Sequence, residues 1–313
     1  MNNADHPSVP RNPLDVIVIG EALIDVVTTP QGTIEHPGGS PANVAYGLGR
    51  LGVEVDLLTA IGPDERGVAI EAHLGSAGVG LLPGSTSLQR TSSSTVTLAD
   101  DGSANYEFDV AWELDPIAPA LAPKLVHTGS IATFLAPGAG AVKEHLRHWH
   151  GDCAITYDPN IRPSLLGSHF EALSIFEDLI NLIDVVKLSD EDAKWLYPRK
   201  DMDGIATHLL SMGAGLAVIT RGPHGSLLAT ASNTVNVPSV SSVVADTIGA
   251  GDSYTSALIM GLLSRGIDDL APEDLEQLGR TASLAAAITV RRPGANPPTM
   301  DELRSHLGAP AAN

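Results

Sequence analysis

Leu125-Val126-His127-Thr128-Gly129-Ser130 is a short apolar run closed by polar residues, and the same pattern returns at 153–158, 185–189 and 216–221. Segments of helical periodicity, 138–150, 168–183, 190–197 and 203–213, alternate with these runs. Short apolar runs of this kind read as strands buried on both faces. Strands alternating with helices make βαβ units, and their crossovers call for a mostly parallel sheet flanked by helices. The predicted class is therefore α/β.

Upstream, Asp15-Val16-Ile17-Val18-Ile19-Gly20 and Val55 to Gly62 read as further buried strands, with another strand through Asp25-Val26-Val27. Gly38-Gly39-Ser40-Pro41 opens a helix to about Leu51, with Ser40 as N-cap and Pro41 at the first helical position. A helix over 65–76 follows. The stretch 94–114 breaks the alternation. Ser94-Thr95-Val96-Thr97-Leu98, the turn Asp100-Asp101-Gly102, and Asn105-Tyr106-Glu107-Phe108 read as a β-hairpin, a small flap over one edge of the main domain. Strands at 226–230 and 234–237 add an antiparallel edge, and helices at 252–265 and 273–289 close the core.

The chain has 313 residues, 43% of them apolar and only 4% aromatic, so small side chains fill its core. A formal net charge of −19 argues against nucleic acid and anionic membrane surfaces as partners. The single Cys153 excludes an intrachain disulfide framework and argues against a cysteine zinc site. It reads as a buried strand residue and fits a reducing cytosol, so a cytoplasmic location is expected. No apolar run reaches the about 18 residues that cross a bilayer. Residues 1–13 are polar with three prolines and read as a disordered lead-in rather than a secretory signal.

Polar residues gather where the predicted strands end: Glu21, His127 to Ser130, Asp158-Pro159-Asn160-Ile161-Arg162, Lys187-Leu188-Ser189 and Thr220-Arg221-Gly222. The carboxyl ends of parallel strands share one sheet edge, and ligands bind along it. Asp246-Thr247-Ile248-Gly249-Ala250-Gly251-Asp252 is a glycine-rich turn that runs into the apolar helical pattern Tyr254, Ala257, Leu258, Gly261, Leu262. Such a turn leaves N–H groups unpaired at a helix start, facing any anion placed there. A carboxylate beside them suits a base that takes a hydroxyl proton while the donors hold a transferring phosphoryl group. The turn taken alone also fits an ordinary loop with Asp252 as helix cap.

Other motifs dissolve on inspection. Gly47-Leu48-Gly49-Arg50-Leu51-Gly52 matches G-x-G-x-x-G but ends a helix rather than opening one, so its glycines read as packing points and a C-cap. Gly38-Gly39-Ser40-Pro41-Ala42 resembles a nucleophile elbow, but Pro41 lacks the N–H that an oxyanion hole needs. No Gly-Lys pair exists for a Walker loop. His145, His148 and His150, beside Lys143 and Arg147, read as a solvated helix face. Asp25 can be a surface carboxylate or a double acceptor for sugar hydroxyls. Asn43 can bond another hydroxyl where Gly38 and Gly39 let the backbone approach.

Gly20-Glu21-Ala22-Leu23-Ile24-Asp25 with Gly38-Gly39-Ser40-Pro41-Ala42-Asn43-Val44-Ala45, and far downstream Asp246 to Asp252, together resemble the two motifs of the PfkB/ribokinase family of sugar kinases. The resemblance implies a Rossmann-like (ribokinase-like) domain over 14–307, with a small β-sheet lid formed by about 22–37 and 94–114 and a tail at 308–313. It implies ATP as donor, Mg²⁺ as charge neutraliser, and Asp252 as base with Gly249, Ala250 and Gly251 as anion hole. Asp25, Gly38, Gly39 and Asn43 would hold sugar hydroxyls, with Arg162 near the sugar or phosphoryl group and Tyr106 and Phe108 covering the sugar or serving a lid-mediated homodimer. Lys187 and the nucleotide-lining Thr220, Gly222 and Gly225 would face ATP. Ser189 and Asp192 stand where the family shows N-x-x-E, a departure that retains one carboxylate. Asp246 and the Ile248 carbonyl would hold a monovalent cation such as K⁺, beside Pro293-Gly294-Ala295.

The opening motif and the Asp-Pro-Asn-x-Arg strand end look most like the fructokinase branch. A hairpin reading Tyr106-Glu107-Phe108-Asp109 lacks the Arg that 2-keto-3-deoxygluconate kinases carry, so a neutral sugar, fructose first, is the expected acceptor. Ribokinase and 2-keto-3-deoxygluconate kinase activity are the alternatives within the family. A sugar-binding regulator without catalysis and an oxidoreductase built on Gly47–Gly52 are the alternatives outside it.

Overall fold

The first strand alternates its side chains between two buried layers, and its neighbours do the same. The computed structural model describes residues 14–29, 32–98, 104–114 and 123–307. The expected lead-in 1–13, the tail 308–313 and the turn Asp100-Asp101-Gly102 lie outside the described residues.

In chain order the first half contains β1 Val16–Ile19, β2 Leu23–Thr29, β3 Gly32–Gly38, α1 Ser40–Arg50, β4 Val55–Leu58, α2 Glu65–Gly75, β5 Gly80–Leu81, β6 Ser93–Leu98 and β7 Ala104–Asp109. The second half contains β8 Leu125–Gly129, a 3₁₀ turn Ser130–Thr133, α3 Gly138–Trp149, β9 Ala154–Asp158, α4 His169–Ile180, β10 Val185–Ser189, α5 Asp190–Leu196, α6 Met202–Ser211 and β11 Leu216–Thr220. After the 3₁₀ turn Gly222–His224 come β12 Ser226–Ala229, β13 Thr234–Val237, α7 Ala250–Arg265, α8 Pro272–Thr289 and α9 Met300–Leu307.

The main sheet has nine strands in the order β13-β12-β11-β10-β9-β8-β1-β4-β5. It is parallel from β11 to β5, and β12 and β13 add the antiparallel edge read from the sequence. Ile17, Ile19, Val126, Ile155, Val186 and Ile219 enter one core with α3, α4, α5 and α6. Their neighbours Val16, Val18, Leu57, Leu125, Val185 and Val218 enter the opposite layers with α1, α2, α7 and α8. A run with both parities buried cannot alternate with polar residues, which is why these strands are near-continuously apolar. From β1 the chain winds one way to β4 and β5, then returns to place β8 on the other side of β1. That reversal is the topological switch point at which open α/β sheets bind ligands.

A second sheet, β3-β2-β6-β7, stands apart from the first. It contains the hairpin read from the sequence, and β2 is an inner strand, so Asp25 is not at an edge.

Three local expectations are corrected. Gly39, not Ser40, is the N-cap of α1, because Ser40 already lies in the helix and its hydroxyl is used elsewhere. Cys153 is half-buried and precedes β9, since its chain is still leaving α3 through the bridge to His150. His145 is 3% exposed and stacks on Trp149, so the α3 histidines are not all solvated. Gly47 and Gly49 pack as expected: a Cβ would meet Ser256 at the first and the Ala77 carbonyl at the second. The Ser256 hydroxyl donates to the Val44 carbonyl across that α1–α7 contact, leaving no room for a dinucleotide there.

Candidate active site

The glycine turn before α7 leads into Asp252, the candidate base. Gly249 caps the helix at φ 73°, in the left-handed region, and a Cβ there would lie 2.7 Å from the Ala295 backbone. Only glycine satisfies both conditions. α7 therefore starts at Ala250, two residues earlier than the sequence pattern predicts, and puts Asp252 in its first turn. The positive end of the helix dipole lies at this turn, where the Ala250 N–H donates to the Thr247 carbonyl at 3.3 Å.

Asp252 is 8% exposed and held at both oxygens. Ser40 Oγ donates to Oδ1 at 2.7 Å, and Asn43 Nδ2 donates to Oδ2 at 2.8 Å. Burial raises its pKa above the ordinary carboxylate value; the two hydrogen bonds and Lys187 pull against that rise, and Asp158 adds to it. Gly39 makes this approach possible. At φ 99° it lets the chain turn from β3 into α1, and a Cβ would lie 2.6 Å from the Glu21 carbonyl. Asn43, expected to meet a sugar hydroxyl, also supports the Asp252 carboxylate through Nδ2.

Beneath the turn lies a buried ion pair. Lys187 Nζ donates to Asp158 Oδ2 at 2.7 Å, with both residues at most 5% exposed. Burial opposes the ammonium charge, but Asp158, then Asp192 and Asp252, hold its pKa above the ordinary lysine value. Nζ would stand 3.3 Å from a Cβ at Gly251, directly against the helix start. A buried cation thus stands at the start of α7. Thr255 Oγ1 also donates to Asp158 Oδ2, at 3.3 Å, whereas Asp158 Oδ1 is buried without a hydrogen-bond partner.

Ser189 and Asp192 form a capping box at the start of α5. Asp192 Oδ2 accepts from the Ser189 N–H and hydroxyl at 3.0 and 2.6 Å, while Oδ1 accepts from the Ile161 N–H at 2.8 Å. The pair ties the ends of β9 and β10 together, and burial raises the Asp192 pKa. This assigns both residues a structural duty that the sequence pattern did not show.

Asp25 and Gly38 meet closely enough that a Cβ on Gly38 would strike the Asp25 carboxylate. Burial pushes Asp25 up to about 6, against the charges of His36 and Arg162. Arg162 Nη1 turns back to the Ile161 carbonyl at 3.1 Å, yet its charge still reaches Asp25 and Glu21. Phe108 stands in the row of β7 that pairs with Ser94, which pairs in turn with Asp25. The Tyr106 side chain lies outside the described residues. Glu21, noted in the sequence only as a strand-end residue, is 4% exposed and accepts from the Ala132 N–H at 3.1 Å. Burial pushes it up to about 7, against hydrogen bonds from Ser130 and the main chain.

On the other side of the turn a cavity of about 600 Å³ runs from Thr220, Gly222 and Gly225 to Ala250 and Gly251. Val240, Val244, Ala286 and Val290 complete its walls, none of which the sequence motifs contain. Asp246 links the loops beyond it: Oδ1 accepts from the Ile248 N–H at 3.0 Å and Oδ2 from the Gly294 N–H at 2.8 Å. Among the described residues no group of three or more His, Cys, Asp or Glu side chains could hold a metal ion. No helix among them is long and apolar enough to cross a membrane.

Residues 14–302 match the model of the pfkB family carbohydrate kinases. The fructokinase of Rhizobium leguminosarum bv. trifolii is 32% identical over 259 residues, covering 79% of this chain and 79% of that protein. An uncharacterized sugar kinase of Pyrococcus horikoshii, solved in complex with ATP, aligns with a TM-score of 0.76 at 30% identity, over 93% of this chain and 97% of that one. The fructokinase of Xylella fastidiosa with bound ATP reaches a TM-score of 0.81 at 24% identity, over 93% and 97%, a likeness of fold.

Proposed function

The chain belongs to the PfkB family of carbohydrate kinases and is an ATP-dependent sugar kinase, and we propose that its acceptor is a neutral sugar, fructose first. The observation that carries the mechanism is the buried Asp252 between Ser40 and Asn43, in the same first turn as Gly249, Ala250 and Gly251. Asp252 takes the proton of a primary hydroxyl. The freed oxygen attacks the γ-phosphorus in line, a new O–P bond forms as the bond to the β-phosphate bridging oxygen breaks, and ADP leaves. The N–H groups and Lys187 stabilise charge on the equatorial oxygens. A loose transition state needs little covalent help, so positioning and electrostatics supply most of the rate.

ATP occupies the 600 Å³ cavity with its phosphates toward Ala250 and Gly251. Asp158, whose Oδ1 has no hydrogen-bond partner, would be the residue that meets magnesium, which would neutralise phosphate charge. Asp246 and the Ile248 carbonyl would hold a monovalent cation, K⁺ by preference, which would steady the loop before α7. Asp25 accepts two sugar hydroxyls, Gly38 and Gly39 let the main chain approach, and Phe108 covers the apolar face of the ring. The small sheet is the lid over this site and excludes water during transfer. Its exposed strand β3, where Ile34 is 59% exposed, pairs copies of the chain into a homodimer. We place the enzyme in a reducing cytosol.

The neutral-sugar reading rests on β7, which offers Phe108 between two acids rather than a cation for a carboxylate. An ADP-release assay over fructose, ribose, 2-keto-3-deoxygluconate and nucleosides tests it. Fructose should give the highest kcat/KM. A higher value for another sugar replaces the acceptor, and sugar binding without ADP release replaces the kinase reading with a regulator.

A further inference from the structure

β2 and β3 pair antiparallel in the register Asp25↔His36, and β2 and β6 pair Asp25↔Ser94. Side chains directly opposite on neighbouring strands share one face. His36, Asp25, Ser94 and, through its pairing with Ser94, Phe108 therefore form a single row. The flanking residues Ile24 and Val26 point the other way, into the core. The row lies on the face that carries the sugar-binding carboxylate. Neither sequence motif includes His36.

We propose that His36 is a positioning residue for Asp25: directly across the strand pair and on the same face, it holds this carboxylate as a double acceptor for sugar hydroxyls. The proposal rests on the reading of Asp25 as a sugar ligand. A protonated Asp25 would turn one acceptor oxygen into a donor and misread a vicinal diol.

The charged surroundings of Asp25 leave this task to His36. Burial pushes the carboxyl up, and His36 is the largest influence against that rise, ahead of Arg162 from the loop after β9. Asp252 from α7 adds to the rise, and Ser94 from β6 contributes a neutral hydroxyl. Glu21, before β2, shares the Arg162 charge. Gly38 closes the remaining side, since any side chain there would strike the carboxylate. Arg162 is held back by the Ile161 carbonyl at 3.1 Å, whereas His36 stands directly across the strand pair from Asp25.

Steady-state kinetics against sugar from about pH 5.5 to pH 8.5 test this with His36→Ala, His36→Lys and Asp25→Ala. His36 is exposed, so its replacement leaves the fold intact, and thermal unfolding checks that. In His36→Ala the rise of sugar KM on acidification should begin roughly half a pH unit higher, giving about a twofold larger KM near pH 6 and approaching threefold toward the acid end. kcat should move less than KM, and His36→Lys should restore the wild-type profile. Superposable profiles for His36→Ala and wild type overturn the proposal. So does a KM increase that is equal at every pH, which marks a direct sugar contact instead. A normal sugar KM in Asp25→Ala overturns the underlying assignment of Asp25, a separate failure that would show even if His36→Ala behaved as expected.

Discussion

Ser40 Oγ donates to Asp252 Oδ1 at 2.7 Å, joining two residues 212 positions apart into one buried pair. A buried base needs this help. Burial favours the protonated carboxyl, and a protonated Asp252 cannot accept the sugar proton. Activity is therefore lost as pH falls through the raised pKa. Ser40→Ala removes one stabilising donor, so the acid limb of kcat should move up by roughly one pH unit, the equivalent of a hydrogen bond to a charged group. Asp252→Asn should lower kcat by about a thousandfold, the scale of general-base catalysis. It should leave Tm unchanged or raised, because it removes a buried charge. An unmoved limb in Ser40→Ala, or near-normal turnover in Asp252→Asn, would remove the residue concerned from the mechanism.

The Lys187–Asp158 pair separates stability from rate. Removing one partner of a buried ion pair costs about 3–5 kcal/mol, because the other charge is left uncompensated. Lys187→Met should show that loss in urea unfolding, together with a fall in kcat of about a hundredfold from the missing cation under the anion hole. The double variant Lys187→Met/Asp158→Leu should regain much of the stability and none of the rate. Recovery of both would make the pair purely structural.

The parts legible in the sequence were those with a physical period or a geometric demand. Buried parallel strands leave unbroken apolar runs, so the sheet followed directly, and a left-handed turn leaves Gly249, which placed the start of α7 to within two residues. The α3 histidines were misread because position on a helix gives a face but not what covers it. Ser40 was misread as a cap because its real partner lies 212 residues away, and a serine before a proline looks the same in either role. The cavity walls at Val240, Val244, Ala286 and Val290 carry no polar motif at all. They are recognised only when the chain brings two distant segments to face each other. Asp192 was legible as a carboxylate at a strand end, but its engagement by the Ile161 N–H depends on a neighbouring loop.

Glu21 should impose a pH dependence on stability. Its carboxyl is pushed up from 4.5 to about 7 by burial. The native state thus retains a proton that the unfolded chain releases. The contribution to stability is complete below the unfolded value and is lost as pH rises through the native one. A shift of that size corresponds to roughly 3 kcal/mol. Glu21→Gln cannot ionise, and its side-chain carbonyl can still accept from the Ala132 N–H. Above about pH 7 the variant should be the more stable by an amount of that order, with the advantage vanishing toward pH 4.5. Parallel Tm curves for the two proteins from acid to alkali would contradict the buried, protonated Glu21.

The cavity proposed for the nucleotide offers a test that leaves the proposed sugar site alone. Ala286 on α8 faces the space whose far end is Ala250 and Gly251, and Val240 and Val244 stand across from it. A phenylalanine at 286 would fill that space with aromatic volume while leaving Asp252, Lys187 and the small sheet untouched. A base excluded from its slot loses apolar burial worth a few kcal/mol, on the order of 25 cal/mol for each Å². The KM for ATP in Ala286→Phe should therefore rise by at least about tenfold, with sugar KM near the wild-type value. Added ATP should also protect the variant against thermal unfolding far less than it protects the wild type. If ATP binds Ala286→Phe normally while the protein remains folded, the nucleotide lies elsewhere along the sheet edge and only the phosphate end of the cavity is assigned correctly.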